Sequence, residues 1–463
     1  MVPTRPHLPR VAALDGLRGL AVLAVLLFHD TRLPGGFLGV DLFFVLSGFL
    51  ITSLLVAEWE TSGRIDLRRF WVRRATRLLP ASFVMIAVVA LVLVRAGDFD
   101  RFRGQVIASV LQVANWHSIV KAHDYWDLFK SPSPFEHMWS LAIEEQFYLL
   151  WPLLVWAGLA LTKSRRWLGI GCVALIVASC FRFEVTQAAS HSRAYFGTDT
   201  RAQTLLIGAL AACIRVPAGA RRVKAIVAGV GLVVFVISTR LCTGDSTLLY
   251  RGGFTAFAVV MAGLIVSLAT DTTIVTRALA WRPLTALGNV SYGVYLWHWP
   301  IFCWLAVEHV RPDQRWMITL LRAATTLGVA LLSSWLIEQP LRTRRIPRYA
   351  HRYAITLLVV GCVASFKEVA YASLPPHAMP PATPPASVHE LIAEPVTFQI
   401  VLLGDSTANS LGWALRGIHK KGVAVDLLAR DGCTMLTDMC NGASWAKQVD
   451  DARPDATLVF LGG

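Results

Sequence analysis

Apolar runs recur along most of this chain, separated by arginine-rich gaps, and that pattern leaves few folds open. A helix that crosses hydrocarbon needs about 20 predominantly apolar residues, because unpaired backbone groups are not tolerated there. Eleven stretches are read as spans: 11–30, 39–57, 81–94, 139–161, 167–181, 204–214, 225–239, 254–270, 284–307, 316–337 and 353–369. Residues 103–116 are also fairly apolar and read as an interfacial or re-entrant helix, with a further span as the alternative. The chain is 55% hydrophobic and only 16% charged, against about 25% charged in an average soluble domain. Its mean hydropathy of +0.53 agrees. The expected fold class is therefore a polytopic α-helical membrane protein of ten spans plus one, followed by a partial α/β unit. No small-residue cleavage site follows the first run, so that run is expected to stay in place as a span.

Charge tests this map. The formal net charge of +14 would suit a nucleic-acid partner, but its arrangement fits membrane topology instead. With the N-terminus placed in the cytoplasm, the inner loops carry Arg64 to Arg77, Lys163 to Arg166, Arg215 to Lys224, Arg277 with Arg282, and Arg342 to Arg352. The outer loops are longer or mixed in sign, as in Asp98 to Arg101. Positive charge thus collects on one side at every inner loop. The expected location is the plasma (inner) membrane, with lipid as a partner and no nucleic acid. Eleven spans put the C-terminal part outside the cytoplasm. Six of the eight cysteines lie in or beside apolar runs and read as small core residues.

Residues 373–387 carry three Pro-Pro pairs, which make an extended, semi-rigid tether. Beyond it the pattern turns to soluble α/β: an apolar strand at 398–403, a turn at Gly404-Asp405-Ser406, a helix, and a second strand at 457–461. Two strands do not close a doubly wound domain, so the chain is expected to be part of a longer one. The expected divisions are 1–345, a further transmembrane helix at 346–372, a Pro-rich linker at 373–396, and 397–463.

Polar residues inside apolar runs are the candidates for chemistry. Arg18 and His29 lie on one helix, about 16 Å apart and within about 20° of one face. Both stand near helix ends, so snorkelling toward head groups is one reading of them; intramembrane ionisable groups are also rare and often functional. Asp41, His137, Glu144, Glu145, Asp199, Arg201 and His298 fall in the same outer half of the drawn topology. Each alone reads as a satisfied core residue or a helix cap. Together they bring histidine beside carboxylates, the equipment for general base work. On the inner side, Arg73, Arg74 and Arg77 occupy neighbouring rows of a helix, with Pro80 expected to start the next span. Arginine forks suit phosphate oxygens, and plain topology signalling or lipid contact is the competing reading.

These residues also make a pattern. L-D-G-L-R-G-L-A-V with His29, G-V-D-L-F-F-V-L-S-G-F-L-I from Gly39, R-R-x-x-R from Arg73, W-S-L-A-I-E-E-Q-F-Y from Trp139, S-Y-G-V-Y-L-W-H-W-P from Ser291 and E-Q-P-L-R from Glu338 occur in order. The chain resembles membrane acyltransferase family 3, O-acyltransferases of cell-surface glycans, from about residue 13 to 345. It resembles in particular the subfamily whose eleventh span leads to an extracytoplasmic SGNH-hydrolase-like domain. The resemblance implies an acyl-CoA donor, acetyl-CoA foremost, an extracytoplasmic glycan or glycolipid acceptor, and no metal. It implies His29 as the central catalytic residue. Arg18, with Arg73, Arg74 and Arg77, is then expected to hold the CoA phosphates, and Glu144, Glu145 or Asp41 to orient the imidazole. His29 either deprotonates the acceptor hydroxyl or carries the acyl group briefly. Gly404 to Ser406 looks like the SGNH nucleophile block, with Ser406 as nucleophile. Asp431 to Cys433 looks like the oxyanion region, with a Cys433–Cys440 disulfide implied; the later block that would activate the serine is absent. A proton-coupled secondary transporter is the alternative from another class, but no internal repeat is evident and the arginine cluster has no role in it. A lipid-anchored scaffold with a degenerate SGNH domain is a third reading.

Overall fold

The first apolar run forms helix α1 (Ala12–His29), and its cap Asp30 closes the last turn onto the Leu26 and Phe28 carbonyls. It belongs to a computed structural model that describes residues 11–121, 133–216, 219–244, 246–305 and 315–340, together with strands at 398–404, 423–429 and 456–460. The chain divides into two units, 1–373 and 374–463, each considered by itself.

In the first unit α2 (Leu38–Ser62) and α3 (Leu67–Ala96) both stop at glycines, Gly63 at φ 67° and Gly97 at φ 77°. A left-handed residue is the ordinary helix C-terminal stop, and glycine adopts it without a Cβ penalty. Asp66 starts α3 by accepting a hydrogen bond from the Arg69 amide. The region read as one interfacial helix is two, α4 (Phe99–Val110) and α5 (Ala114–Val120), separated by Gln112 at φ 55°. There follow α6 (Met138–Thr162), α7 (Arg165–Gln187), the short α8 (His191–Phe196), α9 (Thr198–Cys213) and α10 (Arg221–Leu241). An irregular turn at Leu249–Gly253 leads into α11 (Phe254–Thr270). Then come α12 (Ile274–Leu279), α13 (Arg282–Asn289), α14 (Ser291–Trp304) and α15 (Arg315–Ser333), the last running on into a wider turn, Ser334–Glu338.

Among the described residues seven helical stretches are long and apolar enough to cross a membrane: Ala12–His29, Leu38–Ser62, Leu67–Ala96, Arg165–Gln187, Arg221–Leu241, Leu249–Thr270 and Trp316–Glu338. They coincide with seven of the expected spans. The run at 139–161 is helical as α6, but Glu144-Glu145-Gln146 lowers its hydropathy below that of a plain span. The run at 204–214 lies in the 16-residue α9. The run at 284–307 is not one helix: it breaks at Val290 (φ −106°, ψ 7°) into α13 and α14. The run at 353–369 lies outside the described residues. Pro80 does not start a helix but sits inside α3. One backbone N–H is lost there, a defect that membrane helices accommodate through neighbouring groups.

Two helix crossings organise the unit, and both are built on glycine. On α1 and α13, a Cβ on Gly19 would overlap the Leu284 carbonyl, and one on Gly288 the Asp15 carbonyl. On α2 and α9, Gly48 faces the Leu205 carbonyl and Gly208 the Val45 carbonyl in the same way. Such small-residue contacts let backbones approach where lipid gives no hydrophobic drive between helices. By contrast only 22% of the apolar window of α7 and 28% of that of α10 is buried. Val173, Val177 and Phe181, and Val223, Val230 and Val233, are exposed large hydrophobics on those helices, as surfaces facing lipid must be.

The second unit contains a three-stranded parallel sheet of order β2-β1-β3, with β1 at Phe398–Gly404, β2 at Val423–Ala429 and β3 at Ala456–Phe460. Phe398 pairs with Val423 and Ile400 with Ala456. Both expected strands are present; β2 was not expected. The apolar run Ile400 to Leu403 suits a central strand, because strands in parallel sheets are buried on both faces.

Candidate active site

The last turn of α1 delivers His29, the middle of α14 delivers His298, and the turn ahead of α6 delivers His137. The ring centroids of His29 and His298 are 4.9 Å apart, and those of His137 and His298 5.6 Å. Carbonyl neighbours assign the tautomers, since a carbonyl oxygen only accepts. His29 Nδ1 lies 3.0 Å from the Val25 carbonyl and therefore carries the proton. His298 Nδ1 points at the Tyr295 carbonyl, so its Nε2 is the acceptor for His29 Nδ1–H at 3.2 Å. The basic nitrogen of His29 is then Nε2. His137 donates from Nε2 to the Leu296 carbonyl at 2.9 Å, leaving a buried Nδ1 with no hydrogen-bond partner among the described residues. Trp299 stands 4.6 Å from the His29 ring and Phe28 stands edge-on at 5.0 Å.

The other end of the site is cationic. A partly open cavity is lined by Arg18, Arg74 and Arg77 together with Ser47, Glu144 and Tyr148. The Arg74 guanidinium lies 5.4 Å over the Tyr148 ring. Glu144 is fixed from two sides, by Ser47 Oγ at 2.9 Å and by the Tyr148 hydroxyl at 3.2 Å. The same cavity reaches Ser140 and Tyr295. These two share a 2.5 Å hydrogen bond, and Tyr295 also donates to the His137 carbonyl at 3.2 Å. The hydroxyl pair thus forms the wall between the arginine-lined cavity and the histidines.

The expected site residues separate into groups. Arg18, Arg74, Arg77 and Glu144 come together around one cavity; Arg73 is exposed on α3 and is not part of its lining. Glu145 is within electrostatic reach of Glu144 and Arg74 but also lies outside the lining. Asp41 was expected as an orienter of His29, yet it is fully buried against Arg201 of α9, which bonds its Oδ1. Its depth in the membrane was legible, but its direction around α2 was not. Ser406, Cys433 and Cys440 lie outside the described residues. His137 and His298 were noted in the sequence but not assigned to the site; the signal was their position at the same depth as His29. Among the described residues no group of three or more His, Cys, Asp or Glu side chains is arranged to hold a metal ion.

Glu136, in the turn ahead of α6, is pushed up to about 7 by burial, a rise only partly offset by its hydrogen bond to Gln105. A raised folded-state value means that the folded protein holds this proton longer than the unfolded chain does. The contribution of Glu136 to stability is present below pH 4.5 and is lost as pH rises toward 7. Thermal denaturation of the detergent-solubilised protein is expected to show this decline, and Glu136→Gln is expected to flatten it. An unchanged pH slope in the variant contradicts the assignment.

The family model described as an acyltransferase domain matches residues 11–339. Among curated proteins, the putative peptidoglycan O-acetyltransferase YrhL of Bacillus subtilis is 37% identical over 365 residues, covering 75% of this chain and 57% of its own. The peptidoglycan O-acetyltransferase OatA of Listeria monocytogenes is 36% identical over 364 residues, covering 75% and 58%. A putative O-acetyltransferase of Staphylococcus aureus is 34% identical over 376 residues, covering 77% and 62%. The chain thus spans from 57% to 62% of the length of these relatives. No solved structure matches the chain.

Proposed function

We propose that this chain, which belongs to acyltransferase family 3, is the membrane part of an O-acetyltransferase acting on peptidoglycan or a related cell-surface glycan. The donor is acyl-CoA, acetyl-CoA foremost, approaching from the cytoplasm; the acceptor hydroxyl lies outside. The observation that carries this reading is one cavity with arginines at one end and, across the Ser140–Tyr295 wall, the His29–His298 pair. The positive-inside arrangement supports a cytoplasmic N-terminus and arginine end, and an extracytoplasmic second unit. The names of the relatives support acetate as the group and peptidoglycan as the acceptor class.

In this reading Arg18, Arg74 and Arg77 bind the donor's phosphates through charge-assisted hydrogen bonds. The thioester arm passes along the cavity toward Tyr295. His29 Nε2 either takes the proton of the acceptor hydroxyl or takes the acyl group and hands it on. In the first route the carbonyl carbon exchanges its C–S bond for a C–O bond; in the second it exchanges C–S for a C–N bond to the imidazole and then C–N for C–O. In both, the one proton lost by the acceptor hydroxyl passes by way of the imidazole to the departing coenzyme A thiolate.

The test is acyl transfer by the protein reconstituted in vesicles, with labelled acetyl-CoA at the arginine face and a peptidoglycan fragment at the other. Base-labile acetate on the glycan is expected. In the same assay Arg74→Ala is expected to raise the KM for acetyl-CoA about tenfold or more with little change in kcat, the signature of lost ground-state binding. Accumulation of a solute without ester formation would favour the transporter, and an unchanged KM would remove Arg74 from the donor site.

A further inference from the structure

Asp30 follows His29 directly and caps α1, and its side chain is only 6% exposed. Its carboxylate is fully engaged. Oδ1 accepts from Arg322 Nη1 at 3.0 Å; Oδ2 accepts from Thr319 Oγ at 2.7 Å and from Arg32 Nε at 2.8 Å. Arg32 also reaches Thr319 at 2.8 Å. Arg322, on α15, is itself 7% exposed. Its remaining nitrogens go elsewhere: Nε donates to the Leu305 carbonyl at 2.9 Å and Nη2 to the Phe302 carbonyl at 3.1 Å. Its guanidinium also lies 4.9 Å over the Phe302 ring.

Phe302 and Leu305 close the end of α14, the helix that carries His298. One guanidinium therefore grips the ends of both histidine-bearing helices, by a carboxylate on α1 and by two carbonyls on α14. A lipid-seeking arginine would be exposed at its head, and this one is not. A buried ion pair adds little net stability over apolar packing of the same volume, so stability alone does not account for it. The planar fork with separately directed donors does account for a fixed geometry, and a lysine ammonium cannot reproduce that arrangement. Neither Asp30 nor Arg322 lines the arginine-lined cavity.

We propose that Arg322 is a positioning residue that clamps the ends of α1 and α14 from α15, thereby holding His29 and His298 at hydrogen-bonding distance. This rests on the acyl-transfer reading above. The test uses Arg322→Lys and Asp30→Asn in the reconstituted acyl-transfer assay, with acetyl-CoA binding titrated on the same preparations. The expected result is a kcat per donor site at least tenfold lower in both variants. The affinity and the number of donor sites are expected to stay within twofold of the parent. Parental kcat in both variants overturns the clamp. So does a fall in activity matched by an equal loss of donor sites, which is what a merely structural role produces. His29→Ala in the same series separates the two ideas. If it transfers acetate at the parental rate, the histidine reading fails and the clamp with it. If it is inactive while Arg322→Lys and Asp30→Asn are fully active, only the clamp fails.

Discussion

Replacing His29 with alanine is expected to slow acyl transfer by about a hundredfold or more, the usual contribution of a positioned proton-transfer group, while acetyl-CoA still binds. The two effects separate because the site has two ends. In the proposed reading donor binding rests on Arg18, Arg74 and Arg77 of the cavity, with Arg18 about 16 Å along α1 from His29. In the same reading the chemistry rests on the His29 imidazole, whose tautomer is set by its neighbours: Val25 and His298 together hold the proton on Nδ1 and leave Nε2 basic. Each neighbouring histidine keeps one basic nitrogen: Nδ1 of His137, whose Nε2 donates to the Leu296 carbonyl, and Nε2 of His298, which loses its donor when His29 is removed. Any residual transfer in the variant is expected to pass through one of these two. Single-turnover transfer measured beside donor titration checks this. A variant that transfers at the parental rate removes His29 from the reaction, and one that no longer binds acetyl-CoA shows that the two ends are not independent.

How much of this was legible beforehand depends on the direction in which a residue must be located. Depth in the membrane is read from hydropathy, and it placed Arg18, Arg74 and Arg77 at one end of the site and His29, His137 and His298 at the other. It also put Glu144 with the histidines, whereas Glu144 lines the arginine cavity about two turns further along α6. Azimuth around a helix is relative to neighbours, and no single helix states who its neighbours are. Asp41 and His29 share a depth, yet Asp41 looks to Arg201 on α9. Asp30 was visible as the residue after His29, but its partner Arg322 lies far along the chain, in a run read only as a span. The break at Val290 was hidden for a related reason: hydropathy is continuous across it, while α13 packs on α1 and α14 goes on to the histidines. In the second unit, β1 and β3 stood out as apolar runs bounded by glycine or aspartate. Strand β2 contains Asp426 within a short stretch and carries a weaker apolar signal.

Replacing Gly288 with valine is expected to remove most of the folded protein from the membrane fraction, and that is the largest structural effect we anticipate. A Cβ at this position would sit on the Asp15 carbonyl oxygen, and one on the reciprocal residue of α1, Gly19, would overlap the Leu284 carbonyl oxygen. The obstacle is main chain on both sides, so no rotamer change relieves it and the helices must separate. Overpacking a side-chain core costs about 1–3 kcal/mol; a backbone clash at a crossing without hydrophobic compensation from lipid should exceed that. The consequence runs directly to the site. Asp15 and Gly19 flank Arg18, so a displaced α1 carries Arg18 away from Arg74 and Arg77 and shifts His29 at its far end. Gly171 and Gly229 are the controls, because a Cβ there meets nothing within 4 Å. Alanine at either is expected to be neutral or stabilising by up to about 1 kcal/mol, since glycine weakens a helix interior. Detergent-solubilised yield and thermal stability of the three variants decide it. Equal behaviour of Gly288→Val and Gly171→Ala would mean that α1 and α13 do not cross at these glycines.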